Sequence, residues 1–199
     1  MKDCIEAKLF GIGLESYTVG SYDFYLGYGA KKNKIVTLDT GHFHLTESIA
    51  DRFPRLLLFT PEIMLHVSRP IRWDSDHVVI LNDDVQDLAR EIVRCDALDR
   101  VHIGLDYFDA TINRIGAYVM VAVLRKKPLC SLCWSRSPCF ARYEDEGKYF
   151  QRLALQEEAK SLPWGAVWDM YCLQSGVPVG ESYIAEIEKY ESDVTSRRQ

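Results

Sequence analysis

Acidic and imidazole side chains crowd a short stretch near the middle of the chain. The apolar run Ile63–Val67 predicts a buried β-strand, which Pro70 ends because proline cannot donate to a strand ladder. His66 lies within this run, and Asp74 and Asp76 follow it two residues apart. Two carboxylates that point the same way repel unless a cation or a proton lies between them. A divalent-metal site is one interpretation, and a solvated acidic turn is the other, since such turns are common.

Three further strand-like runs carry the same kinds of side chain at or just after their carboxyl ends. They are Glu6 in the run 3–10, Asp39 and His42 after the run 34–38, and Asp106 and then Asp109 after the run 101–105. If these strands lie side by side, their acids and imidazoles converge at one place. That convergence favours a metal site over unrelated acidic turns.

Helical patterns separate the four runs. They begin near Ser21, near Thr46 and at Val85, where the Asp83-Asp84 pair is the expected cap, and a fourth covers residues 111–124. Apolar residues recur at helical spacing in these segments. The order βαβαβαβα implies parallel strands and right-handed crossovers. Such strands make either an open sheet or half of an eight-stranded barrel, in which sites form at the carboxyl ends of the strands. Pro54 would interrupt the second helix, at about 3 kcal/mol if it is internal.

The rest of the chain is predicted to be helical, over residues 149–160, 162–172 and 183–190. Trp164 and Trp168 lie one turn apart and are expected to be core or subunit-interface aromatics. A role in stacking on a sugar is the weaker alternative.

Composition excludes several classes of protein. The 199 residues are enough for one domain with a sizeable core, and 47% hydrophobic residues are typical of a globular protein. The net charge of −5 gives no support to nucleic-acid binding. No apolar run approaches the roughly 20 residues of a membrane span, and no signal-peptide hydrophobic region is present. The 6 cysteines are therefore expected to be reduced thiols in the cytoplasm.

Several segments resemble the C-terminal half of bacterial L-rhamnose isomerases. They are residues 6–13, 15–20, 41–44, 66–77, 106–114 and 160–164. That family folds as a (β/α)8 TIM barrel and is related in layout to the xylose isomerases. The resemblance implies an α/β fold: the C-terminal half of such a barrel, with four βα units over residues 1–125, followed by a helical C-terminal extension over 126–199.

The resemblance also implies ligands for two divalent cations. Glu6, Asp39, His66 and Asp106 resemble those of a structural metal, and His42, Asp74 and Asp76 resemble those of a catalytic metal. Asp39 would bridge the two cations. Oxygen-rich ligands with one imidazole suit Mn²⁺, with Mg²⁺, Co²⁺ and Zn²⁺ as alternatives.

The implied reaction converts L-rhamnose to L-rhamnulose by a metal-assisted hydride shift between C1 and C2, with the carbonyl polarised by the cations. Lys8 and Asp106 would help to orient the sugar O1 and a water. A simple counter-ion to the nearby carboxylates is the other interpretation of Lys8. The family resemblance further implies a homotetramer.

This sequence departs from the family in its extent. Met1 lies shortly before the first implied ligand, so the first four strands and their helices are expected to be missing. Half a barrel has two open sheet edges and an unfilled interior. We therefore expect little or no activity from this chain alone, which would be unstable, pair with a separate N-terminal half-barrel, or be a truncated gene product. The alternative function is a non-catalytic half-barrel that binds metal or assembles with such a partner.

Residues 120–142 do not resemble the family, which has an Ala- and Leu-rich helix there. Cys130, Cys133 and Cys139 suggest a zinc site. That signal is weak, because structural zinc needs four ligands, usually in two pairs.

A shifted reading frame explains this segment better. The family helix ends in Leu-Leu-Glu-Pro, and codons for that motif read one base later encode Cys-Trp-Ser-Arg, the sequence at 133–136. We hypothesise two compensating frameshifts, with the frame restored near Tyr143, which resequencing of the gene tests. Pro128 and Pro138 are expected to break a helix here in either case.

Overall fold

The computed structural model describes residues 2–8, 13–44, 46–69, 76–107, 109, 111–133 and 138–198. The chain divides into two compact units, Met1–Arg114 and Ile115–Gln199. Strands and helices alternate in the first, and its last strand leads into α4. The elements are β1 (Cys4–Glu6), α1 (Tyr22–Lys32), β2 (Ile35–Asp39), α2 (Ile49–Leu56), β3 (Ile63–Val67), α3 (Asp83–Arg94), β4 (Val101–Leu105) and α4 (Arg114–Cys133).

The strands form one parallel sheet in the order β1-β2-β3-β4. The predicted order of elements and the parallel pairing are thus confirmed. The register places Asp39 beside His66, and His66 beside Gly104. Parallel strands end at the same edge of a sheet, so the polar residues at their carboxyl ends share that edge.

Alternation along the strands separates the two faces of the sheet. Val36 and Leu38 of β2 and Ile63 and Leu65 of β3 are fully buried on one face. They form the core of this unit, together with buried residues of α2 and α3 such as Phe53. The other face carries the polar and titratable side chains, since successive residues of a strand point to opposite faces.

Polar side chains cap the helices of this unit. The Ser21 hydroxyl accepts the backbone N–H of Phe24 at 3.2 Å and begins α1. Asn33, with a φ of 52° in the left-handed region, ends α1. The cap of α3 is Asn82, not the predicted Asp83-Asp84 pair. Those two acids lie in the first turn instead, where negative charge complements the helix dipole.

Proline interrupts the helices less than the sequence suggests. Pro54 lies inside α2, close to its end at Leu56. The expectation that Pro128 breaks the helix was wrong, because α4 runs through it, whereas a separate helix, α5, begins at Pro138. A proline at the first helical position loses no helical hydrogen bond. An internal proline removes one, and the adjacent turns of a 20-residue helix maintain the rest.

The second unit is helical in its described residues. After α4 it contains α5 (Pro138–Asp145), α6 (Tyr149–Lys160), α7 (Trp164–Gln174) and α8 (Ser182–Asp193). The predicted bounds of α6 are confirmed to the residue. Trp168 is buried, as expected of a core aromatic, and the Trp164 indole donates to the Ala159 carbonyl at 2.8 Å. Among the described residues, no helix combines the length and the apolar character that crossing a membrane requires.

Candidate metal centre

Two groups of metal-ligating side chains lie at the carboxyl edge of the sheet. The first contains Glu6, Asp39 and His66, and the second contains Asp39, His42 and Asp76. Within each group, the candidate ligand atoms lie within 4.8 Å of one another. Strand register assembles the first group, whereas the loop after β2 and the segment after β3 complete the second.

Asp39 belongs to both groups. Its Oδ2 atom lies 3.6 Å from His66 Nδ1 and 3.9 Å from His42 Nε2. The Asp39 side chain is 1% exposed, so these contacts form away from solvent. One carboxylate oxygen therefore faces both imidazoles.

Hydrogen bonds reach only one of the two carboxylate oxygens of Asp39 in the described residues. Its Oδ1 accepts the Gly41 N–H at 2.6 Å and the Ser68 hydroxyl at 3.4 Å. Asp39 Oδ2 and Asp76 Oδ1 are both buried and have no hydrogen-bond partner within the described part of the chain. A buried carboxylate oxygen without a partner is costly unless a cation or a proton compensates its charge. Hard oxygen donors with imidazole nitrogen fit a divalent cation, so the residues present suit such an ion.

Electrostatics distinguishes the two aspartates. Burial by itself would raise the pKa of Asp39, but the contact with His66, the charge of His42 and the Gly41 amide outweigh it and lower that pKa. Burial raises the pKa of Asp76, and the negative charges of Asp39 and Asp106 raise it further. Asp76 therefore carries the larger electrostatic cost of ionisation, which a bound cation would relieve.

The backbone directly after β1 orients His42. Its Nδ1 lies 3.0 Å from the Ala7 carbonyl oxygen, which can only accept, so Nδ1 carries the proton. In the neutral ring that a cation would bind, the lone pair is then on Nε2, the nitrogen that faces Asp39. Metal-binding histidines are commonly oriented in this way, with the second ring nitrogen donating to a carbonyl.

Carboxylates surround His66. Its Nδ1 lies 3.2 Å from Asp106 Oδ2 and 3.3 Å from Glu6 Oε1. The contacts with Asp39 and Glu6 raise the pKa of His66 to about 10. Asp106 thus adjoins the first group through His66, on the side of β4.

An aromatic clamp supports the loop that carries His42. The Phe43 ring is buried, and its centroid lies 5.5 Å from that of Tyr22 at the start of α1. The Arg52 guanidinium of α2 lies 4.8 Å from each of these two ring centroids and pairs with Glu47. Two helices therefore hold the loop at the end of β2.

Three other residues that the sequence analysis named are not assigned to either group by the structure. Asp74 lies outside the described residues, so its assignment as a ligand stays a prediction. Lys8 pairs through its backbone with Gly20, whose N–H donates to the Lys8 carbonyl at 2.8 Å, and its catalytic role also stays a prediction. Asp109, which follows β4, accepts the Thr111 N–H at 2.9 Å and so shapes the turn before α4.

Sequence reasoning missed the residues that support Asp39, namely Thr40, Gly41 and Ser68. Gly41 is needed for space: a Cβ there would lie 2.6 Å from Ser68 Oγ and 2.7 Å from Asp76 Oδ1. The only local signal is a threonine and a glycine directly after the strand acid. Nothing local points to Ser68, which comes from the next strand.

Comparisons with known proteins identify the family. The profile of the L-rhamnose isomerase (RhaA) family matches residues 1–198. The chain is 65% identical over 198 residues to the L-rhamnose isomerase of Bacteroides thetaiotaomicron, with 100% of this chain and 47% of that protein covered. It is 52% identical over 196 residues to the L-rhamnose isomerase of Escherichia coli (strain K12 / MC4100 / BW2952), with 98% of this chain and 47% of that protein covered.

The matched region is large for this chain but partial for its relatives. The L-rhamnose isomerase of Enterobacter sp. (strain 638) shows the same proportions, with 50% identity over 196 residues and 47% of its length covered. The chain thus spans about half the length of the curated relatives that it matches. A family profile that matches nearly every residue and a relative at 65% identity lead to one assignment. This chain belongs to the L-rhamnose isomerase family.

Proposed function

We propose that this chain is the C-terminal part of a metal-dependent aldose–ketose isomerase that converts L-rhamnose to L-rhamnulose. One observation carries the proposal: Asp39 is shared by two carboxylate–imidazole groups, and its Oδ2 is buried without a hydrogen-bond partner among the described residues. A shared, buried carboxylate suits a pair of neighbouring cations. Membership of the family supplies the reaction.

The two groups divide the proposed ligands. Glu6 and His66, with Asp106 beside them, would hold one cation, and His42 and Asp76, together with Asp74, would hold the other. Asp39 would contact both. We propose Mn²⁺ as the cation, with Mg²⁺, Co²⁺ and Zn²⁺ as alternatives of similar ligand preference. When bound, the cations supply Lewis-acid polarisation of the sugar oxygens.

The protein's own contribution is position and charge. The Gly41 amide and the Ser68 hydroxyl hold one oxygen of Asp39 and turn the other toward the imidazoles. The Ala7 carbonyl keeps the His42 proton on Nδ1. In the proposed reaction, Lys8 and Asp106 orient the sugar O1 and a water, the role that their positions next to the ligands suggest.

We further propose that the sheet is half of a barrel. In the described residues β1 and β4 are the edge strands of a four-stranded parallel sheet. Edge strands present unpaired N–H and C=O groups, which another sheet can complete. The part of the relatives that this chain does not match would supply the remaining strands and part of the sugar pocket.

Complementation tests the proposal. The chain is assayed for ketose formation from L-rhamnose with Mn²⁺, alone and mixed with the separately expressed N-terminal half of a full-length relative. We expect activity only in the mixture, and none when the chain carries Asp39→Asn. Full activity of the chain alone would contradict the half-barrel.

The alternative, a half-barrel that binds metal without catalysis, predicts a different result. The mixture would then form a stable complex and bind Mn²⁺ but would produce no ketose. The same assay therefore decides between the two functions.

A further inference from the structure

Two hydroxyl side chains join the ends of β2 and β3. The Thr40 hydroxyl donates to the Ser68 carbonyl at 2.7 Å and accepts the Ser68 N–H at 2.8 Å. The Thr40 N–H donates to the His66 carbonyl at 3.0 Å. One threonine hydroxyl therefore extends the β2–β3 pairing beyond the last regular ladder bond and fixes the backbone of Ser68.

The fixed backbone of Ser68 directs its side chain. Ser68 is 4% exposed, and its hydroxyl donates to Asp39 Oδ1 at 3.4 Å. The Gly41 N–H donates to the same oxygen at 2.6 Å. With Oδ1 held by two donors, the carboxylate cannot rotate without losing both, and Oδ2 stays directed at the imidazoles.

The same hydroxyl lies against the second aspartate. A Cβ at Gly41 would meet Ser68 Oγ, Asp76 Oδ1 and Asp39 Oδ1 at 2.6, 2.7 and 3.1 Å, so the three oxygens surround one point. The Ser68 hydroxyl also interacts with the Asp76 carboxylate. Ser68 therefore lies beside both Asp39 and Asp76, two carboxylates that repel each other.

We propose that Thr40 and Ser68 are positioning residues that set the cation affinity of the group Asp39, His42 and Asp76. Thr40 fixes the Ser68 backbone, and the Ser68 hydroxyl fixes the orientation of both carboxylates. The inference rests on the proposed metal function and adds to it the residues that hold the ligands in place.

Loss of the Thr40 hydroxyl at nearly constant volume is the first test. Groups that orient metal ligands typically contribute about 10–100-fold in metal affinity, so Thr40→Val should weaken Mn²⁺ binding by about that factor. Thr40→Ser keeps the hydroxyl and should restore affinity. Ser68→Ala should weaken binding in the same way, and it answers the question if Thr40→Val fails to fold. Isothermal titration with Mn²⁺ and the electron paramagnetic resonance signal of the bound ion give the readout on the full chain.

Thr60→Val is the matched control. Thr60 is also 4% exposed, and its hydroxyl donates to the Leu56 carbonyl at 3.1 Å, away from the carboxylates. This variant should lower the melting temperature to a degree similar to Thr40→Val and leave Mn²⁺ affinity unchanged.

The outcomes separate this inference from the proposed function. Wild-type affinity in Thr40→Val and Ser68→Ala, or equal weakening in Thr60→Val, would overturn the positioning role. A wild-type chain that binds no Mn²⁺ even when mixed with the N-terminal half of a relative would overturn both proposals. A chain that binds Mn²⁺ with the expected losses in the variants, but whose complemented mixture forms no ketose, would overturn the isomerase proposal and support the positioning role.

Discussion

At the scale of single residues, the candidate metal centre depends on one carboxylate. Asp39 is buried, and its two oxygens have different environments: Oδ1 accepts two hydrogen bonds, and Oδ2 faces two imidazoles. Such asymmetry is what a bridging ligand requires, because the oxygen directed at the cations must not be satisfied by the protein. The other ligands each belong to one group.

Because Asp39 belongs to both groups, its replacement should remove more bound Mn²⁺ per chain than the replacement of Asp76. Asp39→Asn removes a charge common to both groups and should abolish tight binding at both, whereas Asp76→Asn should abolish it at one. Mn²⁺ per chain is measured by atomic emission after gel filtration, with circular dichroism as the control for folding. Equal residual binding in the two variants would contradict the sharing of Asp39.

The carboxylates around His66 predict how the stability of the ion-free chain depends on pH. They raise the pKa of His66 to about 10 in the folded chain, against about 6.5 when unfolded. A raised pKa stabilises the fold fully below about pH 6.5, and that contribution is lost as the pH rises to about 10. The free energy of unfolding in EDTA should therefore fall over this range, and His66→Gln should flatten the decrease. Urea denaturation at several pH values measures it, and identical slopes for the two chains would show that His66 is not responsible.

At the scale of elements, the close spacing of β3 and β4 positions His66. A Cβ at Gly104 would lie 3.2 Å from His66 Cδ2 and 2.8 Å from Met64 Cε. The Met64 terminus can move aside, but the imidazole is held by its carboxylates. Glycine on β4 therefore leaves the space that the His66 ring occupies beside that strand.

Gly104→Ala tests this arrangement. Overpacking should cost about 1–3 kcal/mol of stability and should weaken Mn²⁺ binding by displacing His66. Gly27→Ala is the matched control, because Gly27 lies within α1 and a Cβ there would meet nothing within 4 Å. That change should stabilise the chain by about 0.5–1 kcal/mol. Denaturant unfolding and Mn²⁺ titration measure both, and unchanged Mn²⁺ affinity in Gly104→Ala would rule out the effect on His66.

At the scale of the whole molecule, the open edges of the sheet determine how readily the chain associates with other chains. Strands β1 and β4 are its edges in the described chain, and β1 is only 3 residues long. Ile103, at the centre of β4, is 36% exposed. Long apolar edges favour pairing with another chain, so β4 is the edge more prone to it.

The two unpaired edge strands predict that the isolated chain self-associates and that a partner chain which pairs with these edges prevents it. The isolated chain should form concentration-dependent oligomers, and the N-terminal half of a relative should convert them to a defined complex. Ile103→Lys should reduce self-association, because a charge on an edge strand disfavours pairing. Gel filtration with light scattering measures the mass, and a monomer at all concentrations would argue against exposed, reactive edges.

Local pattern explains how much of this structure was predictable. Apolar runs and helical spacing predicted the order of elements and the bounds of α6, because burial of one face imposes a period that the sequence displays. The positions of the acids and imidazoles at the strand ends were also predicted, because the end of each apolar run marks the end of a strand. The ends of other elements shifted by a few residues, as with the cap of α3 at Asn82, because several polar residues there can cap and the backbone selects one.

The tertiary structure alone decided which atoms of those residues are available to a cation. The hydrogen bond from His42 to the Ala7 carbonyl and the bridge from Thr40 to Ser68 join residues far apart in the sequence, and each depends on strand register. The orientation of the Asp39 carboxylate cannot be read from residue spacing, since one of its two donors, Ser68, follows another strand. The sequence by itself thus determined the kinds of ligand and the edge of the sheet where they meet. Only packing determined which oxygen of Asp39 is held by hydrogen bonds and which has no partner among the described residues.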